Sequence, residues 1–239
     1  MDPRSSTGRR RGVTDPVPQP PARRPVVAIV GMATLDYLYV LERHPEADTV
    51  TPALEHQTAV GGVAGRSAIA AARLGASTRL LATCGTGVHA EVLRAQLEGE
   101  GVECTWVAYE QPSQHSAVLL ARADATRTIV WLPQPMADAR AVERLPEVVD
   151  GADVALLDAT DETLATATLD VCEQRGIPTV LDTGSGRPWT RALLERADHV
   201  IAPEVYVRRE TGQSAEQAAP DLWRSSACTV LGVTQGPRG

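Results

Sequence analysis

Apolar residues in this chain come in short unbroken runs, separated by stretches with helical spacing. Val26–Val30 (VVAIV) is apolar throughout and ends at Gly31. A run that short and continuous predicts a central strand of a parallel sheet, covered on both faces. Met32–Asp36 reads as a loop, and Tyr37–Leu41 as a second strand. Thr49–Val60 mixes polar and apolar positions and reads as a strand or hairpin outside the main core. Ala64–Leu74 predicts a small-residue helix, with Ile69 and Leu74 as its only large apolar side chains. Ser77–Thr83 reads as a strand. His89–Glu100 carries Val92, Leu93 and Leu97 at helical spacing and stops at Gly101. Cys104–Ala108, Ser116–Arg122 and Thr128–Leu132 are three short β-like runs, and Asp138–Val149 contains a short helix.

From Asp153 onward strand and helix alternate. Asp153–Leu157, Pro178–Leu181, His199–Ile201 and Cys228–Val233 read as strands. Asp161–Arg175, Thr190–Arg196, Glu204–Glu210 and Ala215–Arg224 read as helices. Short links between them imply right-handed crossovers, hence an α/β fold with a mostly parallel sheet flanked by helices on both faces. The β-like runs in 37–60 and 104–132 break that rhythm and predict a small β lid. Residues 1–25, rich in Arg, Pro and Ser, read as a disordered tail, and 26–239 as one domain.

Charge narrows the function classes. The net charge is −7, from 23 basic and 30 acidic residues. The first 25 residues hold six arginines against two aspartates, a net +4, which leaves −11 on the remainder. An acidic body argues against a nucleic-acid-binding domain. Every basic residue is Arg; Lys, Asn and Phe are absent. Without Lys there is no Walker A loop and no Schiff-base lysine. Cys84, Cys104, Cys172 and Cys228 are far apart and lack metal-ligand spacing, as do the five histidines. No apolar run is long enough to span a membrane, and the Arg-rich start has no apolar core of a signal peptide, so the cytoplasm is the expected location.

In an open α/β sheet, ligands bind beyond the carboxyl ends of the strands. That directs attention to residues 31–36, 60–66, 158–161, 182–189, 202–206 and 234–239. Gly61 and Gly62 stand where the Ala-rich helix begins. Glycines there permit positive φ and let a ligand reach first-turn N–H groups, although a tight turn before a packing helix would use them equally.

Val60–Ala76 (VGGVAGRSAIAAARLGA) resembles the first signature of the PfkB-type carbohydrate kinases of the ribokinase superfamily, GG-x-x-x-N-x-A-x-A-x-A-x-L-G. Arg66 stands where that family has Asn. GMATLD at Gly31–Asp36 resembles the family's opening G-x-x-x-x-D, whose Asp accepts hydrogen bonds from sugar hydroxyls. TRTIVWLPQP at Thr126–Pro135 looks like the lid strand returning to the main domain. LDTGSGRPW at Leu181–Trp189 is similar to D-x-N-x-R-x-x-x-W, and VTQGPRG at Val233–Gly239 to V-T-x-G-x-x-G. The runs AAARLGA and VTQG are most similar to the sulfofructose-kinase and ketohexokinase branch.

The resemblance implies a ribokinase-like fold and transfer of the γ-phosphoryl group of Mg–ATP to a sugar hydroxyl. It places Asp36, Gly61, Gly62 and Arg66 at the sugar, and Thr234, Gly236 and Glu204 at the nucleotide. It also implies a possible homodimer through the lid. Departures accompany it. PEVY at Pro203–Tyr206 replaces N-x-x-E, and the acidic G-x-D after the third strand is lost at Thr86 and Gly87. The D-T-x-G-A-G-D segment that supplies the family's catalytic base is not found, so no catalytic residue is assigned. The expectation is a C-terminally truncated and inactive kinase. The alternative is a non-catalytic sugar- or nucleoside-binding protein derived from one. A Rossmann oxidoreductase fits poorly, because GMATLD lacks G-x-G-x-x-G. The kinase reading requires Asp36 and Gly62 to lie on the same side of the molecule and to share a cavity.

Overall fold

The computed structural model describes residues 23–238. The expected tail therefore lies, up to residue 22, outside the described residues. Its end is anchored: Arg23 pairs with Asp153, and Ser77 N–H donates to the Pro25 carbonyl at 2.8 Å.

The VVAIV run forms β1 (Val26–Val30) in the middle of the larger sheet. Ala28 and Val30 face one core cluster and Ile29 the other, all at most 1% exposed, so both faces of the strand are covered. This is the physical reason the run has no polar alternation. β1 pairs in parallel with β4 (Ser77–Thr86) on one side and β8 (Val154–Asp158) on the other. The sheet continues through β9 (Thr179–Asp182), β10 (His199–Pro203) and β11 (Val230–Thr234), and ends on the other side at β5 (Glu103–Pro112). All seven strands are parallel.

α1 (Val63–Arg73) and α2 (Val88–Gly99) cover one face. α3 (Ala139–Val149) and α4 (Glu162–Arg175) cover the opposite face beside β1. α5 (Thr190–Leu194), α6 (Glu204–Thr211) and α7 (Ala215–Arg224) share a third core cluster with the β8–β11 end of the sheet. Local chemistry fixes several helix ends. Asp161 accepts from Leu164 N–H at the start of α4, Gly176 ends it in the left-handed region, and Ser214 and Gln217 form a capping box on α7.

A four-stranded sheet stands apart, in the order β3 (Glu55–Gly61), β2 (Thr34–Leu41), β6 (His115–Ala121), β7 (Thr126–Trp131). Two expectations are corrected here. The segment 104–132 divides, because the Cys104–Ala108 run belongs to β5, the edge strand of the large sheet, and only β6 and β7 join the small one. An edge strand is less fully covered than a central one, so its mixed polarity imitated a separate sheet. The second correction concerns Asp36, which lies within β2, two residues after it starts. The loop after β1 shrinks to Gly31–Ala33 because Thr34 already pairs with Gly61.

Candidate active site

The carboxyl ends of β1, β8, β9, β10 and β11 gather the loops that the sequence pattern singled out. β2 and β3 bring Asp36 onto the paired glycines. In the β2–β3 register Asp36 stands opposite Ala59, and its carboxylate fills the space a side chain at Gly61 would need. Ser116 Oγ on β6 donates to Asp36 Oδ1 at 2.7 Å, fixing one oxygen and leaving acceptor capacity on the group. Gly62 caps α1 with φ 76°, and any Cβ there would run into the Met32 carbonyl. Gly65 N–H donates to that same carbonyl at 3.2 Å, so one first-turn donor of α1 is used by the fold itself.

Asp158, the last residue of β8, lies in the expected 158–161 stretch but was given no role of its own by the sequence. It is 3% exposed and ties two loops together. Its carboxylate accepts Met32 N–H at 2.8 Å and Thr160 N–H at 2.9 Å. Gly31 lies against it with no room for a side chain. Burial pushes the Asp158 pKa up, the two amide hydrogen bonds oppose that, and the nearby Asp182 charge adds to the rise. Asp182 sits beside it in register, with Gly184 N–H on its Oδ1 at 2.8 Å. The signal for Asp158 was present in the sequence: an aspartate ending the apolar run VALLD, at the carboxyl tip of a predicted strand. Ser116 carried no such signal.

A cavity of about 200 Å³ opens here, lined by Met32, Val63, Asp158, Thr160, Gly184 and Arg187 among others. Val63 directly follows the paired glycines; Asp36 is not in the cavity wall. Trp189 Nε1 donates to the Ala159 carbonyl at 2.9 Å and joins the 182–189 loop to the 158–161 loop. Arg66 behaves differently from the other sugar candidates. Its exposed side chain lines a separate groove of about 900 Å³ between β3, α1 and α2, together with Gln57, Ile69 and Gln96.

The nucleotide candidates meet at the far edge of the sheet. Thr234 ends β11 opposite Pro203, and Glu204 opens α6 next to it. Gly236 has φ 60° and begins a 3-10 turn, Gly236–Arg238. Arg238 Nη2 reaches Glu204 Oε2 at 2.8 Å, and Arg208 Nη2 holds Oε1 at 2.9 Å. These hydrogen bonds, Arg208's foremost, hold the Glu204 carboxyl below the usual range. Strand spacing puts β11 about 19 Å from β1, four steps away, with the Asp158 cavity between them. Among the described residues no group of three or more His, Cys, Asp or Glu side chains could hold a metal ion. No helix among them is long and apolar enough to cross a membrane.

The family model described as pfkB family carbohydrate kinase matches residues 25–239. Over 229 residues the chain is 26% identical to a ribokinase of Arabidopsis thaliana, covering 90% of this chain and 59% of that protein. It therefore spans less than two thirds of that relative's length. A crystal structure of a candidate ribokinase from Agrobacterium tumefaciens superposes with a TM-score of 0.79 at 24% identity, covering 91% of this chain and 72% of the other. The structure of Arabidopsis thaliana ribokinase complexed with ribose and ATP gives a TM-score of 0.67 at 24% identity, covering 88% and 72%.

Proposed function

Because this chain belongs to the pfkB family of carbohydrate kinases, we propose that its carboxyl edge is the acceptor and nucleotide platform of an ATP-dependent sugar kinase. The carrying observation is the Asp36 carboxylate seated on Gly61, beside the Gly62 start of α1. A carboxylate with spare acceptor sites suits two neighbouring sugar hydroxyls. Pentofuranoses such as ribose are the first acceptor class, since the relatives above are ribokinases. Ketoses of the ketohexokinase-like branch are the runner-up. Arg66 faces its own groove and drops to the periphery of this site.

At the other end, the exposed Thr234 hydroxyl and the open space around Gly236 leave room for a nucleotide. ATP supplies the γ-phosphoryl group, which moves to the acceptor oxygen as ADP leaves and the hydroxyl proton passes to a base. The separation of the two ends, with the Asp158 cavity between, supports transfer across the middle of the sheet edge. Glu204 already carries two arginines, Arg208 and Arg238, which occupy both of its carboxylate oxygens. The 239 residues contain no G-A-G-D aspartate, so on their own they are expected to bind and not to turn over.

That charge pairing of Glu204 also favours a second reading, a sugar- or nucleoside-binding protein without transfer. Calorimetry of this chain with a sugar panel, with and without ATP, separates the two. Sugar and ATP binding together support the kinase platform; sugar alone supports the second reading; neither removes both. The exposed apolar residues Val130 and Trp131 on edge strand β7 support a homodimer formed through the small sheet, acting as a lid.

A further inference from the structure

Three of the chain's five histidines meet two tyrosines where α2 touches the small sheet. Tyr37 on β2 hydrogen-bonds His89 Nδ1, in the first turn of α2, at 2.9 Å. The His89 ring stacks on His115, the first residue of β6, with centroids 4.1 Å apart and planes 21° apart. His56 on β3 packs against Tyr39, with centroids 4.8 Å apart, and against Tyr37. Among the described residues no carboxylate or guanidinium hydrogen-bonds or ion-pairs with these three imidazoles; Glu91, in the same turn of α2, does not reach them.

The arrangement suits a neutral His89 ring. His115 Nδ1 faces the Ser113 carbonyl at 3.1 Å, a pure acceptor, so that nitrogen carries the proton. A proton added to His89 places a cation against the stacked His115 ring. It would also lie at the positive end of the α2 dipole and make Nδ1 an obligatory donor to the Tyr37 hydroxyl. Tyr37 follows Asp36 directly. Strand alternation sends their side chains to opposite faces of β2, so the histidine cluster grips the back of the strand that presents Asp36.

We propose that His89, stacked on His115, is a proton-operated brace, which while neutral holds Tyr37 and the Asp36 strand against α2, and which on protonation releases that strand and weakens acceptor binding. The acceptor part rests on the reading of Asp36 given above; the brace itself does not. Burial, and next the charge of His115, hold the His89 pKa below its ordinary value. A histidine depressed in the folded state stabilises structure above the unfolded pKa of about 6.5, and loses that contribution as pH falls through it towards the folded value. The brace is therefore intact at alkaline pH and weakens on the acid side. His89 and His115 are positioning residues, acting through Tyr37.

The test is amide hydrogen exchange of residues 34–41 from alkaline to mildly acid pH, corrected for intrinsic exchange, on the chain and on His89→Gln and Tyr37→Phe. Gln can still accept from Tyr37 but does not titrate. The wild type is expected to lose protection in β2 below about pH 6.5. His89→Gln is expected to hold protection flat across that interval. Tyr37→Phe is expected to show reduced protection already at alkaline pH. The same loss of protection in His89→Gln as in the wild type overturns the proposal. A calorimetric arm with D-ribose separates the two readings: binding that weakens on acidification in the wild type but not in His89→Gln supports both. If D-ribose binds nowhere in the range, the acceptor assignment fails while the exchange result still decides the brace.

Discussion

The Asp36 carboxylate occupies the place that a side chain on Gly61 would take, so these two residues define each other's position. Gly61 could not carry a side chain without moving Asp36. An alanine at 61 would push its methyl group into the carboxylate and into the β2–β3 pairing. Gly61→Ala is expected to cost about 1–3 kcal/mol of stability, as overpacked substitutions do, and to weaken sugar binding. Urea unfolding and calorimetry on the same preparation check both effects. Unchanged stability with unchanged binding would show that the carboxylate can move aside at no cost.

Asp158 supplies a pH dependence. An acid whose pKa is raised on folding holds protons in the native state that the unfolded chain has released. Its contribution is full below the unfolded value of about 3.9 and declines as pH rises through the raised folded value. Asp158→Asn removes that slope. The substitution also offers only one acceptor oxygen to the Met32 and Thr160 amides, which leaves one buried donor facing an NH2 group. The variant is expected to be less stable by about 1–3 kcal/mol. The wild-type advantage should shrink as pH rises from about 4. Denaturant midpoints across that range check it, and parallel pH profiles for the two proteins would contradict it.

The β7 edge offers a direct test of self-association. Val130 is 64% exposed and Trp131 45%, on a strand whose outer edge has no partner in the small sheet. Trp131→Arg combined with Val130→Glu is expected to leave sedimentation at the monomer position while the wild type sediments as a dimer. A wild type that is monomeric at high protein concentration would remove the lid-to-lid contact from the account.

Arg238 and Glu204 tie the end of β11 to the start of α6. Arg238→Ala is expected to raise the pH at which Glu204 titrates and to weaken nucleotide binding several-fold, with sugar binding untouched. Carbon-detected NMR titration of Glu204 and calorimetry with ATP read the two effects. Equal losses of sugar and ATP affinity would point to general unfolding of this corner.

The large sheet was legible wherever burial is two-sided. VVAIV reads as a central strand and is one, and the strand expected at Asp153–Leu157 lies at Val154–Asp158. The small-residue helix after Gly62 was legible for the same reason, since Ala64, Gly65 and Ala68 are its buried positions. The Cys104–Ala108 run misled because an edge strand is covered unevenly. Asp36 was identified by its motif but assigned to a loop, because nothing local announces that β2 begins at Thr34 by pairing with Gly61. The Ser116 contact with Asp36 and the His89–His115 stack join residues too far apart in sequence for any spacing rule to reach. Asp158 was readable as a strand-end carboxylate; its two amide partners were not, since they depend on how the loops after β1 and β8 meet.

The central claim, that Asp36 and the paired glycines cradle a polyol, is tested most directly by calorimetric titration of D-ribose and a ketose panel into the wild-type chain and Asp36→Asn. Losing hydrogen bonds to a charged acceptor is expected to cost about 1.5–3 kcal/mol, or roughly 10- to 150-fold in Kd, with the fold unchanged by circular dichroism. Sugar binding of equal strength in Asp36→Asn, or no binding of any sugar to the wild type, would contradict the account.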